Sequence, residues 1–256
     1  MNSYSLQSAQ SELLRRLSDL AARCEKTSSV TNSSFLTPAE CLDAEKLPLP
    51  DGVRLMLHGG FPESERKIAF FLPYYLDEEN FDSGEIIKAV RIQSYFGEPG
   101  HRDYLGAVLG LGIERSRIGD ILVDGSTAIL FCMASVSSLI MQELDKVGRY
   151  GVKTETLPLS EVPVPERKTK LKSFTVKSLR LDAVTGDMFG FSRTSAAEYV
   201  RLGAVTLNYN ICDKTYAPVK EGDVISVRGK GKGKISAVGG RSKKDRLFIE
   251  AEIYIS

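Results

Sequence analysis

RLDAVTGDMFGFSRTSAAEYVRLGAVTLN, residues 180–208, is the stretch that decides the fold of the C-terminal third of the chain. Residues 180–190 predict a helix that ends at a glycine, and residues 192–203 predict a second helix. Ser192 stands where an N-cap is required and Gly203 where a helix ends. The residues predicted to form the buried side of the second helix are Ala196, Ala197, Val200 and Leu202. Two short helices in tandem therefore precede a segment of predicted short strands.

Arginines lie at both ends of the second helix, Arg193 in its first turn and Arg201 in its last. An arginine beside the positive end of a helix dipole is locally unfavourable, which indicates a role other than helix stability. Together with free backbone N–H groups, Arg193 would form a phosphate site. The alternative is an exposed arginine paired with a carboxylate such as Glu198.

This segment resembles the S4 domain, a small RNA-binding module named after a ribosomal protein. The positions that carry the resemblance are Arg180-Leu181-Asp182, Ser192-Arg193, Gly203, Val205, Asn208 and Gly222-Asp223. One residue departs from the usual pattern, because Tyr209 stands where many S4 domains have glycine. The resemblance implies an S4 domain of the αL type that binds RNA.

Glycine and lysine alternate in VRGKGKGKI, residues 227–235. A Walker loop would need a glycine five residues after Gly229, where Lys234 stands, and a dinucleotide loop would need its third glycine one position after Gly233. The stretch therefore predicts a flexible basic loop for a polymeric phosphate rather than a mononucleotide site. Its cations are Arg228, Lys230, Lys232 and Lys234.

Charge is divided unevenly along the 256 residues, although the formal net charge is only +1. Residues 166–256 hold 18 Lys and Arg against 10 Asp and Glu, whereas residues 1–165 hold 16 against 23. This asymmetry favours a nucleic-acid partner for the basic segment, and docking of that segment on an acidic neighbouring domain is the alternative.

The middle of the chain predicts a ferredoxin-like (RRM-like) domain. From Ile86 onward the predicted order is strand, helix, strand, strand, helix, strand, with Asp124-Gly125 as a hairpin turn. RNA-recognition domains share this architecture, but their K/R-G-F/Y-G/A-F-V-x-F/Y motif is absent from the sequence. The predicted fold class is α+β, with a small helical region at 1–50, the ferredoxin-like domain at 51–160, a basic linker at 161–178 and the S4 domain at 179–256.

A second resemblance covers most of residues 50–256. GHRDYLGAVLGLGIERSRIGDILV, residues 100–123, is similar to the signature of the YlmH family of bacterial S4-domain RNA-binding proteins, in which an aromatic residue such as Tyr209 follows the asparagine. The resemblance implies binding to ribosomal RNA of the large subunit and to peptidyl-tRNA, in the rescue or quality control of stalled ribosomes. The family's genes often lie near cell-division genes, which leaves a protein-interaction role in division as an alternative.

We predict a non-enzymatic protein that uses no cofactor, metal or small-molecule substrate. The residues expected to bind phosphates across one face are Arg180, Arg193, Arg201 and Lys214, with Ser192 at the helix start and the loop cations as an extension. His101 and Arg102 are expected to be exposed in the middle domain, within reach of RNA. Phosphate contacts carry no sequence information, so recognition of RNA shape is expected.

Two fragments resemble catalytic motifs. Residues 180–186 are similar to the R-L-D-x-x-T-S-G segment of pseudouridine synthases, whose aspartate is the nucleophile, but the serine is missing after Thr185. A structural Asp182 that caps the first helix is the favoured interpretation, and an S4-anchored RNA-modifying enzyme is the alternative. His101-Arg102-Asp103 matches the start of a kinase catalytic loop, yet Val108 replaces the required asparagine and no D-F-G occurs.

The remaining features of the sequence favour a cytoplasmic protein. Its four cysteines form no C-x-x-C pair and only two histidines accompany them, so reduced thiols rather than a zinc site are predicted. Residues 6–26 carry leucines at helical spacing and lack the apolar core of a signal peptide. A second helix is predicted to begin at Thr37. No apolar run in the sequence approaches the length of a membrane span.

Overall fold

The computed structural model describes residues 3–163, 169–242 and 244–254. The chain divides into two compact units, Met1–Pro165 and Glu166–Ser256. The helices are α1 (Ser3–Thr27), α2 (Pro38–Ala44), α3 (His101–Gly110), α4 (Ala134–Glu143), α5 (Leu181–Phe189) and α6 (Arg193–Arg201). The strands of the first unit are β1 (Thr31–Leu36), β2 (Arg54–His58), β3 (Lys67–Leu72), β4 (Ile87–Ser94), β5 (Ile118–Asp124), β6 (Thr127–Met133), β7 (Lys146–Val147) and β8 (Tyr150–Leu157). Those of the second unit are β9 (Thr169–Val176), β10 (Val205–Leu207), β11 (Asn210–Ile211), β12 (Val224–Val227), β13 (Gly231–Arg241) and β14 (Leu247–Tyr254).

The first unit stacks four layers. Helices α1 and α2 cover one face of a three-stranded antiparallel sheet with the order β1-β3-β2, and Leu17 and Phe71 lie in the core between them. On the other face of that sheet, Phe70 lies in a second core together with Phe131 of a five-stranded sheet. Helices α3 and α4 cover the far face of the five-stranded sheet, around the buried Tyr104.

The five-stranded sheet has the order β5-β6-β4-β8-β7, and its neighbouring strands are antiparallel. Apart from β7, which lies in a segment predicted as helix, its elements follow one another along the chain as the sequence predicts. The glycine of the predicted hairpin turn, Gly125, has a φ of +55°. Because side chains alternate along a strand, Val90 and Ile92 of β4 face the helices while Ile87 and Ala89 face the three-stranded sheet.

The N-terminal segment is not purely helical, which corrects the prediction for residues 1–50. Strand β1 lies between α1 and α2 and pairs with β3. Its sequence, TNSSFL, is too polar to indicate a strand, but β3 offers it backbone partners and Phe35 and Leu36 become buried. The start of the second helix is as predicted, because Thr37 and Glu40 form a capping box.

The second unit is a six-stranded antiparallel sheet with the order β11-β10-β12-β13-β14-β9, and α5 and α6 share its core. Strand β9 lies in the predicted basic linker 161–178 and pairs with β14 from Thr169 to Val176, so that part of the prediction is corrected. Residues 164–168 of the predicted linker lie outside the described residues. Lysines along a strand at the edge of a sheet are a common protection against unwanted pairing, which explains a strand with a linker-like composition.

Candidate nucleic-acid interface

A buried carboxylate joins the start of α5 to the start of α6. Asp182 is 4% exposed, and its oxygens accept hydrogen bonds from Arg180 and Arg193. Arg180 donates to the two oxygens through Nε (3.1 Å) and Nη2 (2.9 Å), and Arg193 donates to Oδ2 through Nε at 3.3 Å. The backbone N–H of Ala183 donates to Oδ1 at 2.8 Å. The carboxylate thus holds two guanidinium groups next to each other, and both remain partly exposed.

The electrostatics of Asp182 favour its charged form. Burial acts to raise the pKa of this carboxyl, but the hydrogen bond from Arg180 and the positive charges of Arg193 and Arg180 outweigh burial, and the pKa is lowered. One negative charge therefore meets two positive charges, and the group as a whole is cationic. Asp182 is not the predicted cap, because Arg180 occupies the N-cap position and Asp182 lies in the first turn of α5.

Helix α6 presents Arg193 as the sequence predicts. Ser192 caps the helix by accepting the N–H of Ser195 at 3.1 Å, and Gly203 follows the helix with a φ of +65°. The carboxylate that pairs with Arg193 is Asp182 on α5 rather than Glu198. Ala196, Ala197 and Val200 are buried as predicted.

Leu202 does not join that buried side, and the prediction for it is wrong. Its side chain is 73% exposed, because the residue lies past the last turn of α6, where the chain turns toward β10.

A loop beside Arg180 brings Lys214 to the same end of the unit. The backbone N–H groups of Leu181 and Asp182 donate to the carbonyls of Ala217 (2.9 Å) and Thr215 (3.0 Å). Lys214 is exposed in this loop, directly before Thr215. Arg201 is exposed in the last turn of α6, eight residues and about 12 Å of helix rise from Arg193. Arg180 and Arg193 therefore meet at Asp182, Lys214 lies on the loop bonded to the start of α5, and Arg201 lies farther along α6.

The alternating glycines and lysines form a strand rather than the predicted flexible loop. Lys232 and Lys234 lie on β13, which pairs with β12 and β14. A Cβ on Gly233 would lie 3.1 Å from Met188 Sδ of α5 and 2.9 Å from Ile253 Cδ1, so this position faces the core and has no room for a side chain.

Because alternate residues of a strand point to opposite faces, the two lysines lie on the sheet face away from α5. Lys230 and Arg228 are exposed in the turn between β12 and β13. The sequence predicts one continuous face that joins Lys232 and Lys234 to the helix arginines. The structure instead places these two lysines on the opposite face of the sheet. Lys234 also lies opposite Glu252 of β14, which reduces the positive charge there.

Asn208 and Tyr209 form the tight turn between β10 and β11. Both have positive φ angles, 49° and 67°. The side chain of Asn208 donates to Asp223 Oδ1 at 2.9 Å and accepts the N–H of Val224 at 2.9 Å, which ties this turn to the start of β12. The Tyr209 ring lies 4.7 Å from Lys232 Nζ. The aromatic residue in this position thus accepts an uncommon backbone conformation and contacts a lysine of the predicted set.

His101 and Arg102 belong to the first unit, at the start of α3, and both are exposed as predicted. Desolvation of the His101 ring and the positive charge of Arg115 lower the pKa of His101. The imidazole is therefore neutral at pH 7 and offers hydrogen bonds rather than charge to a phosphate.

Two further cations near Arg193 were not predicted. Lys177, Arg246 and Arg193 line a cavity of about 290 Å³ together with Phe191. Arg246 donates to Thr175 Oγ1 at 2.9 Å and lies 3.8 Å from Asp187 Oδ2. No local pattern in the sequence marks either residue, because the pairing of β9 with β14 brings them to α5 and α6.

Within residues 3–163, 169–242 and 244–254, no group of three or more His, Cys, Asp or Glu side chains is arranged to hold a metal ion. Cys24, Cys41 and Cys132 are buried thiols, and burial raises the pKa of Cys132 to about 12. Over the same described residues, no helix combines the length and apolarity needed to cross a membrane.

Comparison with known proteins identifies the family. A family model described as "Putative RNA-binding domain in YlmH" matches residues 78–161. The chain is 31% identical over 220 residues to the ribosome-associated protein quality control protein P2 of Bacillus subtilis (strain 168), with 86% of each chain covered. Its structure is similar to that of the cell division protein ylmH from Streptococcus pneumoniae, with a TM-score of 0.51, 25% identity, and 60% of this chain and 93% of that chain covered. The protein belongs to the YlmH family.

Proposed function

We propose that the protein is a non-enzymatic RNA-binding protein of the cytoplasm that binds ribosomal RNA of the large subunit and peptidyl-tRNA in the quality control of stalled ribosomes. In this proposal the second unit is an S4 domain and supplies the main RNA contact. The hydrogen bond from Asn208 to Asp223 and the Arg180-Asp182-Arg193 group support the S4 assignment. The strand order of the five-stranded sheet supports a ferredoxin-like domain in the first unit.

The observation that carries the proposal is the arrangement of Arg180 and Arg193 on one buried carboxylate. Guanidinium groups fixed in advance lose little conformational freedom when a phosphate binds, and each has donors left for a bidentate contact. Lys214 and Arg201 extend the cationic surface, and Ser192 fixes the start of the helix that carries Arg193. The relative from Bacillus subtilis, whose name places it in ribosome-associated quality control, supports the ribosome as the setting.

The remaining predicted cations are assigned secondary roles. Arg228, Lys230, Lys232 and Lys234 would contact RNA from the β13 side of the unit, and His101 and Arg102 from the first unit. These contacts would add affinity for a large ribosomal RNA surface without reading sequence.

Salt dependence of RNA binding tests the electrostatic basis of the proposal. If about five cations displace counterions, log affinity should fall with log salt at a slope of roughly −4.5 for an RNA helix and roughly −3.5 for a single strand. Fluorescence anisotropy with a labelled RNA helix over a salt series measures this slope. A slope near zero would contradict phosphate binding by these residues.

An RNA-modifying enzyme and a division factor are the other candidates. The four hydrogen bonds to Asp182 engage both of its carboxylate oxygens, which disfavours a nucleophile. A uridine-to-pseudouridine assay with wild type and Asp182→Ala tests that candidate directly.

The similar protein from Streptococcus pneumoniae is named as a cell division protein, which favours a division role. Such a role would require a protein complex that survives ribonuclease treatment.

A further inference from the structure

Four residues at one corner of the five-stranded sheet form a surface that we call the aromatic corner: Tyr95, Phe96, Arg149 and Tyr150. Tyr95 is 60% exposed and Phe96 is 79% exposed. We propose that the aromatic corner binds unpaired RNA bases by stacking, as an RNA contact of the first unit. This inference rests on the proposed function and specifies the class of RNA that the first unit contacts, which is single-stranded.

The usual stacking surface of a sheet of this topology is covered. RNA-recognition domains stack bases on the sheet face opposite the helices. Here Ile87 and Phe131 on that face pack against Phe70 of the three-stranded sheet. The next residue of β4 on the same face, Arg91, pairs with Glu155 at 2.7 Å. Tyr95 directly follows the last residue of β4 and continues the alternation of side chains on this face. It is therefore the first exposed ring on this face along the chain.

The backbone around the rings is held by close contacts. The N–H of Tyr95 donates to the carbonyl of Gly151 at 3.0 Å, and a Cβ on Gly151 would lie 3.2 Å from the Tyr95 ring. The chain then turns at Gly97, with a φ of +77°, where a Cβ would lie 2.6 Å from the Tyr150 ring. Glycine at these positions lets the backbone pack directly on the rings. Rings fixed in this way lose little freedom on binding a base.

Arg149 adds a phosphate donor to the corner. Its guanidinium carbon lies 5.1 Å from the centroid of the Tyr150 ring, and Nη2 donates to the Tyr150 hydroxyl at 2.9 Å. Stacking of this kind leaves other N–H groups of the guanidinium for a phosphate. Rings bordered by a cation are the combination that binds single strands without sequence preference. Glu98 and Asp145 are exposed nearby, so stacking rather than charge is expected to dominate and the salt dependence to be weak.

A tryptophan reporter tests stacking at this site. The chain contains no tryptophan, so the Phe96→Trp variant places a single indole in the aromatic corner. A 12-nucleotide single-stranded RNA should quench its fluorescence, whereas the same sequence annealed to its complement should not, because paired bases are not free to stack. The matched control is Tyr74→Trp, at a ring of the same unit that is 70% exposed and lies outside the corner. Its fluorescence should not change with either RNA.

Alanine variants measure the contribution to affinity. Phe96→Ala and Tyr95→Ala should each weaken binding of the single-stranded RNA roughly tenfold, since stacking of one base on one ring has an effect of this order. Both side chains are exposed, and thermal unfolding of each variant checks that the fold is kept. Single-strand affinity within twofold of wild type, or quenching equal to that of the Tyr74→Trp control, would overturn the inference. Weakened ribosome binding by Arg193→Ala alongside such a result would leave the proposed function intact, so the two failures are distinguishable.

Discussion

Arg193 Nε lies 3.3 Å from Asp182 Oδ2, across eleven residues of chain and between two helices. The contact explains why an arginine is accepted beside the positive end of α6, since a buried carboxylate of α5 offsets its charge. Arg180 shares the same carboxylate and donates to both of its oxygens. Asp182 thereby fixes the separation of two cations that would otherwise repel each other, before any phosphate is present.

Replacing Asp182 by asparagine should destabilise the second unit. The Asp182→Asn side chain keeps the shape but leaves two guanidinium groups without their counter-charge, at a cost of about 1–2 kcal/mol in the free energy of unfolding. Urea unfolding measures the difference. Asp245→Asn is the control, because Asp245 pairs with Arg241 at an exposed site, where less than about 0.5 kcal/mol is expected. Equal losses for the two variants would show that Asp182 does not organise its arginines.

The stabilisation by Asp182 should depend on pH in one direction. The pKa of this carboxyl is lowered in the folded protein, so its contribution is fully present above the ordinary aspartate pKa of about 3.9. The contribution is lost as the pH falls from that value through the lowered folded pKa. Urea unfolding between neutral and acid pH should therefore show the difference between wild type and Asp182→Asn shrinking only below about pH 4. A difference that already disappears near pH 6 would contradict a lowered pKa.

Local signals in the sequence were sufficient for α6. Ser192 and Gly203 bound the helix as predicted because capping depends on a few adjacent residues. The bond between Asp182 and Arg193 was not predictable in the same way, since it depends on how α5 packs against α6. The middle elements followed from clear apolar runs and an Asp-Gly turn.

Four strands were missed, β7 within a segment predicted as helix and the other three for related reasons. β1 is polar, β9 is rich in lysine, and β13 begins with alternating glycine and lysine, so none of them shows the alternation of apolar and polar residues that indicates a strand. At the core-facing position 233 of β13, glycine stands where an apolar residue would mark a strand, because α5 leaves no space for a side chain. Pairing with a neighbouring strand, rather than local preference, decides these segments.

The Gly233→Ala variant should distinguish the observed strand at this position from the flexible loop that the sequence predicts. The added methyl group would lie within 3.1 Å of Ile253, Met188 and the backbone of Glu252, so a loss of about 1–3 kcal/mol in unfolding free energy is expected. Gly240→Ala, on the same strand with nothing within 4 Å, is the control and should be nearly neutral. Thermal or urea unfolding compares the two. A neutral Gly233→Ala would favour a loop with free space around it.

Double-mutant cycles on RNA affinity should distinguish one basic surface from two. Arg180→Ala and Arg193→Ala should be non-additive, with a coupling of about 0.5 kcal/mol or more, because both arginines depend on Asp182. Lys234→Ala and Arg193→Ala should add within about 0.3–0.5 kcal/mol, because the sheet separates the two side chains. Anisotropy titration of a labelled RNA helix gives both couplings. Strong coupling between Lys234 and Arg193 would contradict their placement on separate surfaces.

Sedimentation with purified large ribosomal subunits over a salt series tests the central claim most directly. Wild type should migrate with the subunit at low salt and be released as salt rises, and Arg193→Ala should be released at lower salt, with the slope of log affinity against log salt reduced in magnitude by about 0.9. Arg241→Ala, which removes an exposed arginine paired with Asp245, is the control and should behave nearly as wild type. Wild type that stays at the top of the gradient at the lowest salt, or Arg193→Ala that is indistinguishable from wild type throughout, would contradict ribosome binding through Asp182-anchored arginines.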